Sequence, residues 1–445
     1  MREICFILLS KDRSRILAEK RDDGGYVLPT FDDAVSLNVG LEYPDDHNRW
    51  FEKKFGLEVF RRYAIDPEHQ GKSFFVLESF SAKEDKRFVP IDLFDVDTKS
   101  LIERLREFYC SSFTMPWVSK TSYGEYIAWA TSVIEPAGNR VIQEIRQVRN
   151  SYVSTVFQIV TDEKDFYLKI PGQVFIREIE CLEAISDLAD DCTPKITRVN
   201  YDLKAYLMED MGGADLDISQ DHPRVSEIVK SIARLQKRAL AKPSLMTSSR
   251  IRDLRPEVLK SYCARLPELA SDLLDGSSYE LTGTQKSKLI LECDKYYEYL
   301  SGIPNTIPPS IDHGDLRPGN IRLVGDKIVF YDWAWPAITH PFLTICSFLY
   351  IVRRNKAIAK LKKSIVEAYL EEWKEYDTLP NLHTSFALME NIRHFYFAVC
   401  DSIWLQELLE ATGRNCSDSS SDGWAIERRR YYLHRVLVRV VDSAS

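Results

Sequence analysis

Two periodicities divide the chain. In roughly its first half, apolar side chains fall in short runs and alternations separated by polar turns; farther on they recur every three to four residues. Alternation marks half-buried strands, and the three-four spacing marks helices with one buried face. Strands are predicted over 4–9, 15–19 and 26–28, around turns at KDRS and DDGG. Residues 48–55 read as a helix closed by Gly56, the residue type that most easily takes the left-handed conformation after a helix. Further strands are expected over 74–80 and 88–94, and a helix over 99–109 with Leu101, Ile102, Leu105 and Phe108 on one face. Residues 1–115 thus form an α+β module.

Strand patterns resume over 141–148, 153–160 and 166–170. They lead into a helical segment at 175–188, a strand at 204–208 and the turn MEDMGGADL. The remaining pattern is helical over 224–239, 256–274, 284–299, 357–376 and 385–411, with a last helix after the loop CSDSSSDG. One non-helical island, 305–341, interrupts it. There are no internal repeats and no coiled-coil heptads.

With 445 residues, the chain is long enough for more than one domain. At 44% hydrophobic residues it is a folded protein and not a disordered one. A net charge of −8 and the absence of a basic block argue against nucleic acid as a partner. The nine cysteines are odd in number, and no two stand at a metal-binding spacing. They read as small buried hydrophobes in a reducing compartment. The apolar run 342–352 stops at Arg353-Arg354 and is too short to span a bilayer. The N-terminus reads as a strand and not a signal peptide, so a cytoplasmic protein with no membrane partner is expected.

The island carries the chemistry. In IPPSIDHGDLRPGNIRLVGDKIVFYDWAWP a loop presents Asp315, Asn320 follows five residues later, and a predicted hairpin brings Asp332 back to the end where Asn320 lies. Phosphoryl transfer requires an aimed hydroxyl and neutralised phosphate charge more than covalent help. Asp315 can accept the hydroxyl proton, while the amide oxygen of Asn320 and the carboxylate of Asp332 are hard donors suited to Mg²⁺.

HGDLRPGN followed by FYDW resembles the catalytic and metal segments of the aminoglycoside phosphotransferase (APH)/choline kinase-like kinases. The resemblance implies Asp315 as catalytic base, Asn320 and Asp332 as Mg²⁺ ligands, and Arg317 facing the transferred phosphate, with His313 supporting the loop. In FYLKI it implies Lys169 as the lysine on the α- and β-phosphates, and in the helix REIECLEAI it implies Glu178 as the acid pairing with it, Glu180 and Glu183 being competitors. YLMEDMGGADL resembles the hinge, where the backbone of Glu209 and Met211 would hold adenine. Relatives usually carry His at the position of Gln236. The first hairpin, RNSYVSTVFQI, lacks glycine, so phosphate contacts would fall to Ser151, Ser154 or Thr155. The expected cofactors are Mg²⁺ and ATP or GTP.

The N-terminal stretch ICFILLSKDRSRILAEKRDDGGYVLP resembles, more faintly, the opening of a Nudix domain. RWFEKKFGL stands where that family has its metal-binding helix, but Lys53 and Lys54 replace the paired glutamates, which implies a retained fold without hydrolase activity. The expected architecture is α+β: a Nudix-like domain at 1–115, then a two-lobed, protein-kinase-like fold with an N-lobe at 116–208 and a helical C-lobe at 209–445. The expected activity is phosphorylation of a hydroxyl on a small molecule such as an aminoglycoside-like antibiotic, sugar or amino alcohol, with the oligomeric state open. A nucleotide-binding pseudokinase acting as sensor or scaffold is the alternative. A protein kinase is disfavoured, because WAWPAIT leaves no room for an activation loop. Asp401, Glu407 and Glu410 read as a solvated face, with a cation site as the lesser reading. Trp333, Trp335, Phe395, Tyr396 and Trp404 read as core before substrate pocket. Ile426, Leu433, Leu437 and Val440 are expected to pack the last helix.

Overall fold

The computed structural model describes residues 3–9, 15–32, 45–57, 59–65, 72–78, 87–94, 117, 123–135, 141–151, 153–186, 192–248, 251–412 and 421–442. The chain divides into two compact units. Residues within 1–173, 197–210 and 415–425 make the first; those within 174–196, 211–414 and 426–445 make the second.

The first unit contains a mixed four-stranded sheet in the order Thr30–Asp32, Glu3–Leu8, Lys72–Glu78, Phe60–Ile65. Its central pair is parallel and its outer pairs antiparallel. A parallel pair needs a long crossover, and the helix Asp45–Phe55 lies within that connection. Phe51 of this helix is fully buried and packs with Phe6, Leu8, Leu57 and Leu77. Gly56 closes the helix at φ +67° as its position suggested. Lys54 is held by Glu19 at 2.7 Å and lies over the Trp50 ring, and Lys53 is exposed.

A second sheet in this unit runs Ile196–Asn200, Ala205–Glu209, Phe166–Pro171, Ser154–Thr161, Ile142–Asn150. The helix Tyr123–Ile134 buries Tyr123, Tyr126, Ala130 and Ile134, spaced to share one face. Through it the two sheets share one core, in which Ile7 and Val76 of the first meet Phe157, Ile159 and Leu168 of the second. The strands expected around 141–170 are all present. This helix and the strands Phe60–Ile65 and Ile196–Asn200 were not anticipated. The segment expected as a strand over 88–94 pairs only through Phe88–Pro90 and then turns as a 3-10 helix at Ile91–Leu93. The helix expected over 99–109 and residues 416–420 of the Ser-rich loop lie outside the described residues, and Ser421, Asp422 and Gly423 already belong to the last helix.

The second unit is mainly helical. Val225–Leu240, Pro256–Leu274, Gly283–Ser301, Lys356–Glu371 and Leu379–Thr412 answer to the predicted helices, with an earlier end at Glu371 and an earlier start at Leu379; Phe342–Val352, read only as an apolar run, is a helix as well. Thr282 and Gln285 form a reciprocal capping box at the start of Gly283–Ser301. In the last helix, Ser421–Asp442, Ile426, Leu433, Leu437 and Val440 are buried as expected. The island predicted to be non-helical supplies strands to two small sheets. One has the order Arg252–Asp253, Ala337–Thr339, Ser310–Asp312; the other is the hairpin Ile321–Val324/Lys327–Phe330 with Ala214–Asp215 on its edge. No helix among the described residues is long and apolar enough to cross a membrane.

Candidate active site

The loop carrying Asp315 leaves a strand that helices clamp from behind. Asp312 ends that strand with 2% exposure, and its carboxylate accepts the hydroxyls of Thr344 and Tyr396, both at 2.6 Å. The buried Gln236 amide donates to the Ile311 carbonyl at 3.1 Å and accepts the Tyr369 hydroxyl at 2.7 Å. Sequence reasoning singled out Gln236 only as a departure from the family pattern and Tyr396 only as a core aromatic, and missed Asp312, Thr344 and Tyr369. Their contacts span 32 to 133 residues, a separation that no local spacing rule reports.

Gly314 then turns the chain at φ +76°, in the left-handed region. A Cβ there would stand 2.0 Å from the Trp335 carbonyl oxygen and 2.5 Å from its Cβ, so no other residue fits. His313 is fully buried against the Trp333 ring. Its Nε2 meets the Tyr331 carbonyl at 3.0 Å, and Nδ1 accepts the Asp315 amide at 3.4 Å. That pairing requires a neutral ring with its proton on Nε2. Burial lowers the imidazole pKa to about 4, which agrees. His313 therefore ties the Asp315 turn to the residue before Asp332.

Asp315, Arg317, Asn320 and Asp332 come together at one end of the hairpin. Asn320 (1% exposed) donates from Nδ2 to the Asp315 carbonyl at 2.8 Å and to Asp315 Oδ2 at 3.1 Å. The same Oδ2 takes Arg317 Nε at 3.0 Å. Arg317, expected toward a phosphate, here rests on the aspartate. The surrounding protein pushes the Asp315 pKa up to about 6, and the charge of Asp332 adds to the rise while Arg317 and Asn320 pull against it. Hairpin pairing sets Ile321 opposite Phe330, and the Tyr331 amide donates to the Asn320 carbonyl at 3.1 Å. Asp332 follows with φ +64°, a strained backbone for a non-glycine residue. Gly213 supports the arrangement, since a Cβ there would lie 2.0 Å from the Leu323 carbonyl oxygen of the same hairpin.

The residues expected to meet nucleotide divide between the units. Lys169 sits in the strand Phe166–Pro171, flanked by Val156 and Tyr206, with 6% exposure. Glu178 is fully buried on the helix Arg177–Ser186, whereas Glu180 and Glu183 are half-buried. In the glycine-free hairpin, Ser151 remains partly exposed, but Ser154 and Thr155 are buried. The Thr155 hydroxyl donates to the Arg149 carbonyl and receives the side-chain amides of Gln147 and Asn150. Two of the three hydroxyls proposed to cradle phosphate are therefore turned inward, and any contact at Ser154 would come from its backbone. Glu209 pairs with Lys164 at 2.6 Å, and the chain passes from the first unit to the second between Asp210 and Met211.

A model of the APH phosphotransferase enzyme family matches residues 144–379, just over half of the chain. The chain belongs to this family. No curated protein matches it in sequence. Among solved structures, the phosphotransferase is similar to a choline kinase of Streptococcus pneumoniae (13% identity, TM-score 0.44, covering 71% of this chain and 99% of the other). It is also similar to a macrolide 2'-phosphotransferase of Brachybacterium faecium (14%, 0.45, 70% and 98%) and an ethanolamine kinase of Plasmodium vivax (14%, 0.44, 76% and 94%).

Two late-helix acids of the phosphotransferase are not a solvated face. Glu407 is engaged by Arg177 at 2.8 Å and Arg252 at 2.7 Å, and Asp401 by Arg429 at 2.5 Å. Neither is offered to a cationic ligand. Trp333, Phe395, Tyr396 and Trp404 are buried, as a core reading requires. Trp335 is half-buried and packs against Trp404 and Phe175.

Proposed function

We propose that this phosphotransferase moves the γ-phosphoryl group of ATP or GTP to a hydroxyl of a small molecule. The observation that carries this reading is the pinned pair Asp315–Asn320 at the end of the hairpin where Asp332 emerges. Asp315 Oδ2 is taken by Arg317 and Asn320, which leaves Oδ1 to receive the proton of the acceptor hydroxyl. A pKa near 6 makes the carboxylate a stronger base than an ordinary aspartate at neutral pH. Arg317, which rests on Asp315, is the guanidinium that would meet the charge of a transferring phosphoryl group.

The donors present fit Mg²⁺. With Nδ2 of Asn320 committed to Asp315, Oδ1 is the atom that would serve a cation. Asp332 adds a carboxylate held in a strained conformation. Mg²⁺ is usually held by one or two such protein oxygens, with phosphates and water completing its shell. When bound, it neutralises the triphosphate. Lys169 would serve the α- and β-phosphates with Glu178 as the acid that pairs with it, Ser151 and the Ser154 amide the phosphate tail, and the backbone of Glu209 and Met211 the base. Asp315→Ala should abolish transfer while leaving nucleotide binding nearly intact; undiminished transfer in that variant would refute the role.

The buried Ser154 and Thr155 hydroxyls favour one other reading, a nucleotide-binding pseudokinase acting as a sensor. The mixed sheet and its packed helix in residues 1–115 support a Nudix-like module, and Lys53 and Lys54 support the loss of its hydrolase site. That module's shared core suits a structural part of the first unit better than a tethered appendage.

A further inference from the structure

A cleft of about 400 Å³ opens in the second unit beside the catalytic loop. Arg177, Arg252, Arg255 and Tyr262 line it together with Ile338 and Ile403. Its position follows from the small sheet. Arg252 pairs with Ala337, and Ala337 pairs with Asp312, three residues before Asp315. Two strand spacings, roughly 10 Å, therefore separate Arg252 from the start of the catalytic loop. The Arg252 guanidinium also lies 4.5 Å above the Trp335 ring, whose residue packs on Gly314. One aromatic side chain stands between the cleft and the loop that presents Asp315.

The charge of this cleft is unbalanced. Glu407 alone serves both Arg177 and Arg252, one carboxylate oxygen to each. Arg255 is offset by Asp253 at 2.5 Å. A fourth cation, Arg265, lies 5.0 Å over the Tyr262 ring. Three lining guanidiniums thus face two carboxylates, and Arg265 stands outside the lining, on Tyr262. The Arg252 side chain is 8% exposed, and its Nε, buried from solvent, has no hydrogen-bond partner among the described residues. An unmet donor on a desolvated cation is costly, and a carboxylate or phosphate oxygen is the ligand chemistry that satisfies a guanidinium fork. The cleft is large enough for a sugar-sized molecule.

We propose that this cleft is the acceptor subsite and that the acceptor is a small hydroxylated compound carrying an anionic group, a carboxylate or a phosphate, which Arg252 and Arg177 hold while the hydroxyl reaches Asp315. The proposal rests on the kinase reading above and names its substrate class. It sets this phosphotransferase apart from a kinase of cationic amines, because the acids that such an acceptor would need are already taken by arginine.

The test uses matched probes with the full chain and a non-hydrolysable Mg·ATP analogue: glucose, gluconate and glucosamine, and ribose with ribose 5-phosphate. Calorimetry should show gluconate or ribose 5-phosphate binding at least tenfold more tightly than its neutral counterpart, and the better of the two identifies the anion. Arg252→Gln should weaken that binding roughly 10- to 100-fold, the worth of a charge-assisted contact, with Arg252→Lys recovering part of it. Arg177→Gln, at a 40% exposed side chain, guards against misfolding at the buried site and should weaken the same probe. Equal or tighter binding of glucose, ribose or glucosamine, or anion binding indifferent to both arginines, overturns the proposal. Asp315-dependent phosphorylation of glucosamine in preference to gluconate would overturn it while leaving the kinase standing. Arginine-dependent anion binding without any transfer would keep the subsite and remove the kinase.

Discussion

Replacing Gln147 with leucine should destabilise the first unit far more than any surface change. Gln147 is 1% exposed and bridges the two sheets. Its Oε1 accepts the Arg61 amide at 2.6 Å and Asn48 Nδ2 at 3.2 Å. Its Nε2 lies 2.6 Å from the Arg61 carbonyl, 3.2 Å from the Tyr123 hydroxyl and 3.1 Å from the Thr155 hydroxyl. Arg61 sits at an irregularity in the pairing of its strand, where the ladder itself cannot serve both backbone groups. Leucine fills the volume but makes none of these bonds. Two hydrogens shared among three acceptors make the set worth less than five separate bonds. At ~1 kcal/mol each, plus the cost of buried groups left unmet, the loss is about 3–5 kcal/mol. With a urea slope of ~2 kcal/mol per molar, the midpoint should fall by about 1.5–2.5 M. Lys54→Ala, which breaks the half-exposed pair with Glu19, should cost under ~1 kcal/mol. Urea titrations followed by tryptophan fluorescence compare the two. A Gln147→Leu midpoint no lower than that of Lys54→Ala would refute the claim that this side chain joins the N-terminal sheet to the rest of the unit.

Three further outcomes follow from the geometry. Gly314→Ala should fold but lower kcat/KM by ~100-fold or more, because relieving a 2.0 Å contact displaces Asp315 by about an ångström; Gly276→Ala, at φ +75° with nothing near its Cβ, should cost only stability, about 1–2 kcal/mol, and an equal activity loss in both would contradict the role of the turn. Asp332→Asn should raise the Mg²⁺ concentration for half-maximal nucleotide turnover by ~10-fold or more; an unchanged metal titration would remove Asp332 from the metal site. Burial of His340 lowers its pKa from 6.5 to about 3, so the unfolded chain takes up its proton first as pH falls. Its contribution to stability is intact above pH 6.5 and is lost from there down to about pH 3, by at most roughly 4–5 kcal/mol. His340→Gln should flatten the fall of the thermal midpoint over that window, and an unaltered profile would contradict it.

The geometry of the Asp315 segment was legible because what the reading used lies within about twenty residues: Asp315 itself, the amide five positions after it and the hairpin that returns to Asp332. Helix spacing was legible for the same local reason. The residues that were not legible are held from afar or run against the pattern. Arg61 is a fully buried arginine in a strand, so FRRYAI does not read as alternating. The helix Tyr123–Ile134 is apolar around most of its surface and shows little amphipathic contrast. Asp312 went unnoticed because a hydroxyl from each of two distant helices fixes it. Glu407 looked like a solvated acid because its two arginines are 155 and 230 residues away. The division at residue 115 came from composition and resemblance, whereas side-chain packing joins the segments on either side into one core.

Transfer itself is the most direct test of the account. Purified full-length protein, incubated with Mg·ATP or Mg·GTP and a panel of hydroxylated amines, sugars, nucleosides and acids, should release nucleoside diphosphate in step with a new phosphate monoester seen by ³¹P NMR, and Asp315→Ala should do neither. Nucleotide that binds but yields no ester with any member, or ester formation that survives Asp315→Ala, would contradict it.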